Sequence, residues 1–424
     1  MEPVGYFIIV LFVVMLISIT TEHANDTAAA LLAFAVAAAA AYLVEGHSFT
    51  TIVKTMAWDI ILFLTAMMII VAVVSSSGLF QWSAVVIATT AQGDARKIFY
   101  YFMMLTFIIS LFFSPMPTMM IVSTFTVEVC NSLDVDFRPY LMTEAVTAGV
   151  SSFALPIGSV PNLVIVYFAE MDIGLLFVTM FPLSVILFGV TLWYMLRKFG
   201  DAIMTTRQRN LAVLLGIDPE TMIRSKSGFL ISCGGLVALV LGLILLPQDA
   251  PLVSLLIAGV LLVTSKDESH DLLKRLSWES VFFLVGIMGI IQTMIVTGVI
   301  GLLSDALLGI AQTNLFLAIA VMLWLPGALL SPLDKKAVGI LTAPVAKELG
   351  GVNPVLPISL VAGTNIGGYC VPFGDSPNMV AVTSAEEKGK PLTWNEFNKT
   401  VIPVGLLHLL IATVYFLLLS MLFV

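Results

Sequence analysis

One motif occurs twice in this 424-residue chain, 216 residues apart, and it interrupts sequence that is otherwise apolar. Residues 156–162 read Pro-Ile-Gly-Ser-Val-Pro-Asn, and residues 372–378 read Pro-Phe-Gly-Asp-Ser-Pro-Asn. Proline removes a backbone donor and clashes with the preceding helical turn, so neither segment continues an α-helix. Inside a bilayer such a break is tolerated only where protein buries it or where it lines a wet cavity. The motif therefore predicts two interrupted membrane helices at matching places.

The composition requires a membrane as the solvent. Hydrophobic residues make up 59% of the chain and charged residues 11%, whereas a soluble protein has about 25% charged residues. Apolar runs of about 17–25 residues, the length that spans a bilayer, recur along nearly the whole sequence. These runs do not alternate polar and apolar residues as the strands of a membrane barrel do. We predict an all-α polytopic membrane protein.

Further landmarks recur in the same order in the two halves. A tryptophan followed by an acid occurs at residues 58–59 and again at 278–279, and a Ser-Pro pair occurs at 114–115 and 331–332. Between the halves, residues 197–227 are polar and rich in Lys and Arg, which by the positive-inside rule places them in the cytoplasm. We predict an internal duplication with a first repeat at 1–196, a cytoplasmic linker at 197–227 and a second repeat at 228–424.

Each half is expected to contain one re-entrant hairpin and one broken helix. The residues after each Ser-Pro pair are too polar for an ordinary span, which favours hairpins at 114–134 and 331–350. The helices that carry the breaks then run over 138–170 and 353–386. Hydropathy gives about five or six membrane helices per half. An even number of full spans would make the repeats parallel and an odd number would make them inverted, and both orientations are open at this point.

The two breaks are the predicted ligand site, because matched broken helices expose backbone groups and aim half-helix ends at the bilayer midplane. N-terminal helix ends favour anions and C-terminal ends favour cations, each by about 0.3–1 kcal/mol at a surface. The alternative is that both breaks are packing kinks that neighbouring helices satisfy. The candidate substrate-binding residues are Ser114, Pro115, Thr118, Ser151, Ser152, Gly158, Ser159, Asn162, Asn365, Gly367, Gly368, Gly374, Asp375, Ser376 and Asn378, with Ser331, Asp334, Lys335 and Lys336 on the second hairpin.

Charged residues within apolar sequence are further candidates, because each costs at least about 2.5–3.5 kcal/mol unless it pairs or faces water. A lysine of Asp334-Lys335-Lys336 would hold an anion or replace a coupling cation; alternatively, the hairpin tip reaches water and the lysines snorkel. Asp334 is a candidate partner of either lysine. Glu144 and Asp375 are candidate coupling residues, although Glu144 would equally fit a solvated position near the entrance of its helix.

The sequence lacks the residue patterns that several classes of function require. The cysteines Cys130, Cys233 and Cys370 show no metal-ligand spacing, and no paired acids or Ser/His arrangement indicates an enzyme. No Gly-x-x-x-x-Gly-Lys-Ser/Thr run occurs, so ATP would have to be used by a partner ATPase. Nothing indicates a nucleic-acid surface. We predict a non-enzymatic membrane protein without a cofactor or metal, in contact with lipid and a small ion.

The residues around the second break resemble a known family. The run TNIGGYCVPFGDSPNMV at 364–380 and the span at 58–80 are similar to the ion transporter superfamily, in the branch of arsenite/antimonite permeases, melanosomal P-protein-like permeases and citrate-type carriers. The resemblance covers essentially the whole chain. It implies two inverted repeats, each with a re-entrant hairpin and an unwound helix, in a homodimer with elevator-like motion.

Two departures from that branch concern ion coupling. The branch commonly carries Asp-Asn or Asn-Asp at its hairpin tips, whereas this chain has Ser-Pro at 114–115 and 331–332. In the first half, Gly-Val-Ser-Ser at 149–152 stands opposite Asn-Ile-Gly-Gly at 365–368. Coupling to sodium or protons through acids at the hairpin tips, as in that branch, is therefore in question.

Together these observations predict a secondary transporter that moves a small anion, oxyanion or metalloid across the plasma membrane by alternating access. One alternative is a sodium/proton antiporter that uses Asp375 or Glu144, against which the missing hairpin acids argue. The other alternative is a relative that has lost transport and serves as a structural component of a membrane complex.

Overall fold

The computed structural model describes residues 3–20, 25–56, 58–92, 94–204, 218–246, 249–265, 269–274, 276–299, 314–330 and 335–422. Within these ranges the regular structure is helical and no strand occurs. Seven of the described helices are long and apolar enough to cross a membrane. The prediction of an all-α polytopic membrane protein is confirmed.

The described part of the first half contains ten α-helices, and the first break lies between α8 and α9. They are α1 (Pro3–Thr20), α2 (Asp26–Glu45), α3 (Phe49–Lys54), α4 (Trp58–Ser76), α5 (Leu79–Thr90), α6 (Ala95–Phe112), α7 (Pro115–Ser132), α8 (Arg138–Ser152), α9 (Val160–Phe168) and α10 (Ile173–Met204).

The described part of the second half contains nine helices in a corresponding order. They are α11 (Lys226–Leu245), α12 (Ala250–Thr264), α13 (Ser269–Lys274), α14 (Trp278–Val296), α15 (Leu315–Trp324), α16 (Lys335–Val352), α17 (Val355–Tyr369), α18 (Ser376–Glu387) and α19 (Trp394–Ser420). The second break separates α17 from α18, and a π-helical segment, Leu325–Leu330, extends α15.

Local details repeat between the halves as well as the order of the helices. The indole N–H of Trp58 donates to the backbone carbonyl five residues earlier at 2.8 Å, and that of Trp278 does the same at 3.0 Å. Gly78 and Gly298 both adopt left-handed backbone, with φ of 86° and 69°. An L side chain is strained in this conformation, and glycine adopts it freely. These matches agree with a duplication, while the inverted orientation and the repeat boundaries stay predictions.

The two halves interlock around the breaks. Helix α7 of the first half packs against α18, which follows the second break, and α16 of the second half packs against α9, which follows the first break. The approach of α16 to α9 is close, because a Cβ on Gly339 would lie 2.4 Å from Cβ of Pro161. Each break is therefore enclosed by a helix from the other half.

Of the two segments predicted as hairpins, the structure describes the first completely and the second in part. One continuous helix, α7, occupies most of residues 114–134, and two extended residues, Phe113 and Ser114, separate it from α6. Most of the second predicted hairpin, 331–350, lies in α16, whereas residues 331–334 lie outside the described residues.

Candidate functional site

The two breaks have the same backbone form. Each contains a short 3-10 turn, Pro156–Gly158 in the first half and Pro372–Gly374 in the second. The next residue is extended in both cases, with φ of −159° at Ser159 and −151° at Asp375. A new helix begins after each of these residues. The predicted interruptions therefore lie between the half-helices α8 and α9, and between α17 and α18.

An asparagine side chain closes each break in the same way. The amide of Asn162 donates to the carbonyl of Ser152 at 3.1 Å, and the amide of Asn378 donates to the carbonyl of Gly368 at 3.2 Å. Both acceptors lie ten residues before the asparagine. Asn378 also donates to Val371 at 2.7 Å. These amides satisfy carbonyls that lose their helical partners where the helix stops.

One hydrogen bond joins the two breaks directly. The Nδ2 atom of Asn365 donates to Oδ1 of Asn162 at 2.6 Å and to the carbonyl of Val361 at 2.8 Å. All three residues are buried. Among the described residues, Oδ1 of Asn365 and Oδ1 of Asn378 accept no hydrogen bond. Polar groups from both halves thus meet in the protein interior with acceptor capacity left over.

A buried ion pair lies at the second break. Lys335, the first residue of α16, places Nζ against Oδ2 of Asp375, and the two side chains are only 4% and 5% exposed. The other carboxylate oxygen of Asp375 accepts the backbone N–H of Ser376 at 2.9 Å and so caps α18. The lysine stem lies on Gly368, where a Cβ would come within 2.7 Å of Lys335 Cδ. Asp375 therefore fixes both the start of a half-helix and the position of a cation.

A cavity of about 760 Å³ extends from this ion pair. Its walls include the start of α7, the residues that follow both breaks, the end of α4 and the loop before α14. Six of the predicted site residues line it: Ser114, Pro115, Ser159, Lys335, Asp375 and Ser376. Tertiary structure thus brings residues from opposite halves to one cavity; Ser114 and Lys335, for example, are 221 positions apart in the chain.

A second cavity of about 400 Å³ touches the edge of the first break through Pro156. Its charged lining residues are Asp59, Glu170 and Asp172, which are all acids. None of the residues at the second break lines it. We place the candidate site at the larger cavity, because only that one combines both halves with a buried cation.

Other predicted site residues are satisfied within their own helices. The hydroxyl of Thr118 donates to the carbonyl of Ser114 at 3.1 Å. Ser151 and Ser152 donate to carbonyls three residues earlier, at 3.3 and 2.9 Å. Gly158 is required by packing, since a Cβ there would lie 1.7 Å from the carbonyl oxygen of Ser152. These residues shape the first break and do not line the larger cavity.

The remaining predicted site residues of the second half lie within the helical backbone, outside the described residues or at the ion pair. Gly367 is buried within α17 and Gly374 ends the 3-10 turn. Ser331 and Asp334 lie outside the described residues, and so does the side chain of Lys336. Lys335 is buried, so the interpretation that it snorkels to water is wrong.

Glu144 lies apart from the larger cavity. Its side chain is fully buried in α8, and Oε1 accepts the hydroxyl of Thr126 on α7. The second oxygen, Oε2, has no hydrogen-bond partner among the described residues. The interpretation of Glu144 as a solvated acid at the helix entrance is therefore wrong.

The sequence profile of the citrate transporter family, CitMHS, matches residues 9–350. The chain belongs to the citrate transporter family. It is a multi-pass membrane protein and a transporter by family, which agrees with the resemblance to the ion transporter superfamily.

Several relatives resemble this chain, and one of them does so over nearly the full length of both chains. An uncharacterized transporter of Mycobacterium bovis is 24% identical over 417 residues, which cover 96% of each chain. A 46 kDa membrane protein of Mycobacterium leprae is 25% identical over 308 residues, covering 70% of this chain and 71% of the relative. An uncharacterized transporter of Synechocystis is 25% identical over 190 residues. The Mycobacterium bovis alignment extends beyond the family match, which ends before the second break.

The larger cavity is also lined by residues that the sequence did not identify as site residues. They are Ser75, Ser76, Gln81, Arg224, Ser277 and Ser280. A signal was present at residues 75–77, where three serines end an apolar span. Arg224 belongs to the predicted cytoplasmic linker at 197–227, and its place in the lining of the cavity is not recorded in the local sequence.

Proposed function

We propose that this protein is a secondary transporter that moves a small anion across the plasma membrane by alternating access. The observation that carries the proposal is the position of Lys335, a buried cation where the two halves meet, in a cavity bordered by both breaks. Removing the anionic partner of a buried charge costs about 3–5 kcal/mol. An anion in the cavity would serve as such a partner and would gain charge-assisted hydrogen bonds, the stronger class of hydrogen bond.

The rest of the cavity lining suits an oxygen-rich anion. Hydroxyl donors come from both halves, and Arg224 adds a second cationic side chain. The volume of about 760 Å³ lies within the range of about 300–1,000 Å³ of small-molecule sites. Citrate is the first substrate to test because the family is described as citrate transporters. Other small oxyanions and metalloid hydroxides would use the same donors.

The interlocked arrangement gives alternating access a physical basis. Since α16 packs on α9 and α7 packs on α18, a displacement of one half relative to the other changes the walls of the cavity. Such a change would open the cavity to one side of the membrane and close it to the other. The proposal includes a homodimer, as the resemblance to the superfamily implies.

Citrate uptake into proteoliposomes tests this function. The full chain would be reconstituted beside Lys335→Gln, and arsenite, dicarboxylates and sulfate would be added as competitors, with and without sodium and pH gradients. Loss of one charge-assisted hydrogen bond, worth about 1.5–3 kcal/mol, predicts that Lys335→Gln lowers the apparent affinity about tenfold or more. Lys226→Gln is a matched control, because Lys226 pairs with Glu220 at 3.1 Å on the exposed surface.

Folding has to be separated from binding in this test. Lys335→Gln leaves Asp375 as an unpaired buried acid, whereas the double variant Lys335→Gln/Asp375→Asn removes both charges and should unfold near the wild-type temperature. Transport that is lost in the folded double variant supports the proposal. Wild-type protein that transports none of the anions, or a double variant that transports citrate normally, contradicts it.

One observation favours the sodium/proton antiporter as a second candidate. The fully buried Glu144 has a carboxylate oxygen without a hydrogen-bond partner in the described part of the chain. Buried ionisable groups in membrane helices commonly mark proton pathways. Sodium-driven proton movement that Glu144→Gln abolishes and Lys335→Gln leaves intact would favour this candidate over the anion carrier.

A further inference from the structure

The ion pair between Lys335 and Asp375 presents a problem for any anion that enters the cavity. Both side chains line the cavity and both are buried. The charge of Lys335 is already neutralised, because Nζ lies against Asp375 Oδ2. An incoming anion therefore meets a lysine whose carboxylate partner is part of the protein.

Binding of an anion to Lys335 requires that this carboxylate be displaced from Nζ. The exchange itself replaces one ammonium–carboxylate contact by another of the same kind. It leaves Asp375 without its cation at a position that is only about one-twentieth exposed. An unpaired buried carboxylate is unstable, and such a group becomes neutral by taking up a proton.

Protonation of Asp375 at Oδ2 need not disturb the start of α18, because the other oxygen, Oδ1, makes the contact with that helix. Oδ1 accepts the N–H of Ser376 at 2.9 Å and holds the carboxyl group at the start of α18. A proton added at Oδ2 leaves that contact in place. Asp375 therefore keeps its structural role as a helix cap whether or not it is charged.

Few other charges face the pair. Among the cavity-lining side chains that the structure describes, Arg224 is the one further charged group. The other titratable groups that the structure describes on the helices packed around the pair do not line this cavity; they include Glu128 and Cys130 on α7, Arg138, Tyr140 and Glu144 on α8, Tyr167 on α9, Tyr369 on α17, Glu386 and Glu387 on α18, and Glu396, Lys399, His408 and Tyr415 on α19. Asp375 is thus the acid placed to respond when the partner of Lys335 changes.

We propose that Asp375 is a built-in competitor for the substrate: in the empty transporter it occupies the position on Lys335 that an anionic group of the substrate takes, and its displacement is accompanied by protonation of Oδ2. The inference rests on the proposed function. Lys335 stays an ammonium throughout, the substrate oxygen accepts from it, and one proton from solution adds to Asp375.

Proton uptake on ligand binding tests this inference directly. Citrate would be titrated into the purified full chain in weakly buffered detergent solution with a pH indicator, in parallel with calorimetry in buffers of different ionisation enthalpy. The wild type is expected to take up about one proton more per bound citrate than Asp375→Asn, so that the protonation of citrate itself cancels. As the pH rises, the wild-type affinity should fall by up to about tenfold per pH unit relative to that of the variant, because binding takes up one proton more.

The Asp375→Asn variant is expected to bind citrate about tenfold or more tightly at alkaline pH, because the competing carboxylate is gone. Glu220→Gln, which neutralises an exposed acid outside the cavity, is the matched control and should leave the affinity and the proton count unchanged. Asp375→Glu should retain the extra proton. If Asp375→Asn does not fold, proton uptake by the wild type and by Asp375→Glu is measured with sulfate, an anion of the panel that carries no titrating group near neutral pH; binding of sulfate without proton uptake then overturns the inference.

Each outcome distinguishes the inference from the proposed function. Citrate binding by the wild type without extra proton uptake, or with the same pH dependence in Asp375→Asn, overturns the inference and leaves the anion transporter standing. Loss of binding in folded Asp375→Asn also overturns it, because Asp375 would then assist binding and not compete. Failure of the wild type to bind any anion of the panel overturns both.

Discussion

The break at residues 156–162 and the break at residues 372–378 follow the same backbone path, yet only the second carries a charge. Ser159 and Asp375 occupy the same extended position after the 3-10 turn. Ser159 Oγ has no hydrogen-bond partner among the described residues, whereas Asp375 pairs with Lys335. The comparison teaches that the shape of the break and the chemistry of the site are specified by different residues.

The position that corresponds to Lys335 is also uncharged in the first half. At the offset of 217 that aligns the two Ser-Pro pairs, Thr118 corresponds to Lys335. Thr118 donates its hydroxyl to the carbonyl of Ser114, within its own helix. A neutral Thr/Ser combination in the first half thus stands where the second half has a Lys/Asp pair. One half supplies shape alone and the other supplies shape and charge.

The first half also lacks the counterpart of Asn365, and packing explains why. Gly149 stands at that position, and a Cβ there would lie 2.6 Å from Cδ1 of Tyr369. The ring of Tyr369 is buried and its hydroxyl bonds to His408 at 2.8 Å. An asparagine at 149 would therefore collide with a fixed ring, so a single amide from the second half has to join the two breaks.

Substitution of Gly158 should break the shared backbone path most severely. A Cβ there would meet the carbonyl oxygen of Ser152 at 1.7 Å, and backbone atoms cannot move aside as a flexible side chain can. Gly158→Ala should cost about 3 kcal/mol or more in the free energy of unfolding. Gly189→Ala in α10 is the control, because open space surrounds that glycine; it should be neutral or stabilise by up to about 1 kcal/mol. Thermal unfolding in detergent measures both, and equal melting temperatures would refute the argument.

A carboxylate added to the first break tests whether charge is tolerated there. Ser159→Asp places an acid at the position of Asp375, but its partner position holds Thr118, so the acid should cost about 1–3 kcal/mol or become protonated. Ser159→Ala removes a hydroxyl without a partner in the described structure and should be nearly neutral. Adding Thr118→Lys to Ser159→Asp should recover part of the loss. The expected order of stability is Ser159→Ala, the double variant, then Ser159→Asp; a fully stable Ser159→Asp would contradict it.

The two closing asparagines should differ in how they couple to the rest of the chain. Asn162→Ala removes the bond to Ser152 and the contact with Asn365, whereas Asn378→Ala removes bonds within the second break alone. Each should cost about 1–3 kcal/mol, because buried carbonyls lose their donors. A double-mutant cycle should give a coupling of about 0.5–3 kcal/mol for Asn162 with Asn365. Asn378 with Asn162 is the control cycle, and equal coupling in both cycles would exclude the direct bridge as the cause.

A surface ion pair provides the smallest expected effect and a contrast with the buried pair. Burial raises the pKa of Asp136, but hydrogen bonds from Arg138 and its charge outweigh burial and leave the pKa below its ordinary value. The pair then contributes stability above the ordinary carboxyl pKa of about 4, and this contribution is lost as the pH falls through the lowered value. Because both side chains are about one-third exposed, the contribution should be about 1 kcal/mol or less. Unfolding from about pH 6 to about pH 3 should show a shallower loss of stability for Asp136→Asn than for the wild type, and equal slopes would contradict the argument.

The helices and the two breaks could be predicted from sequence because their causes are local. Proline and glycine interrupt a helix wherever they occur, and apolar runs of sufficient length become membrane helices. The pairing of Lys335 with Asp375 could not be predicted in this way. Asp334 adjoins Lys335 in sequence and is a candidate partner of Lys335 or Lys336 by proximity alone. Asp375 is 40 residues away and reaches Lys335 through the packing of α16 against the second break.

Composition and backbone chemistry are enough to specify a helical membrane protein with two matched broken helices, since both act at the level of single segments. Tertiary structure decided which polar residues share the cavity. It placed Ser114 and Ser159 of the first half beside Lys335 and Asp375 of the second. The same packing kept Glu144 apart from them. The physical reason is that helix packing joins residues far apart in the chain, and local patterns do not record which helices pack together.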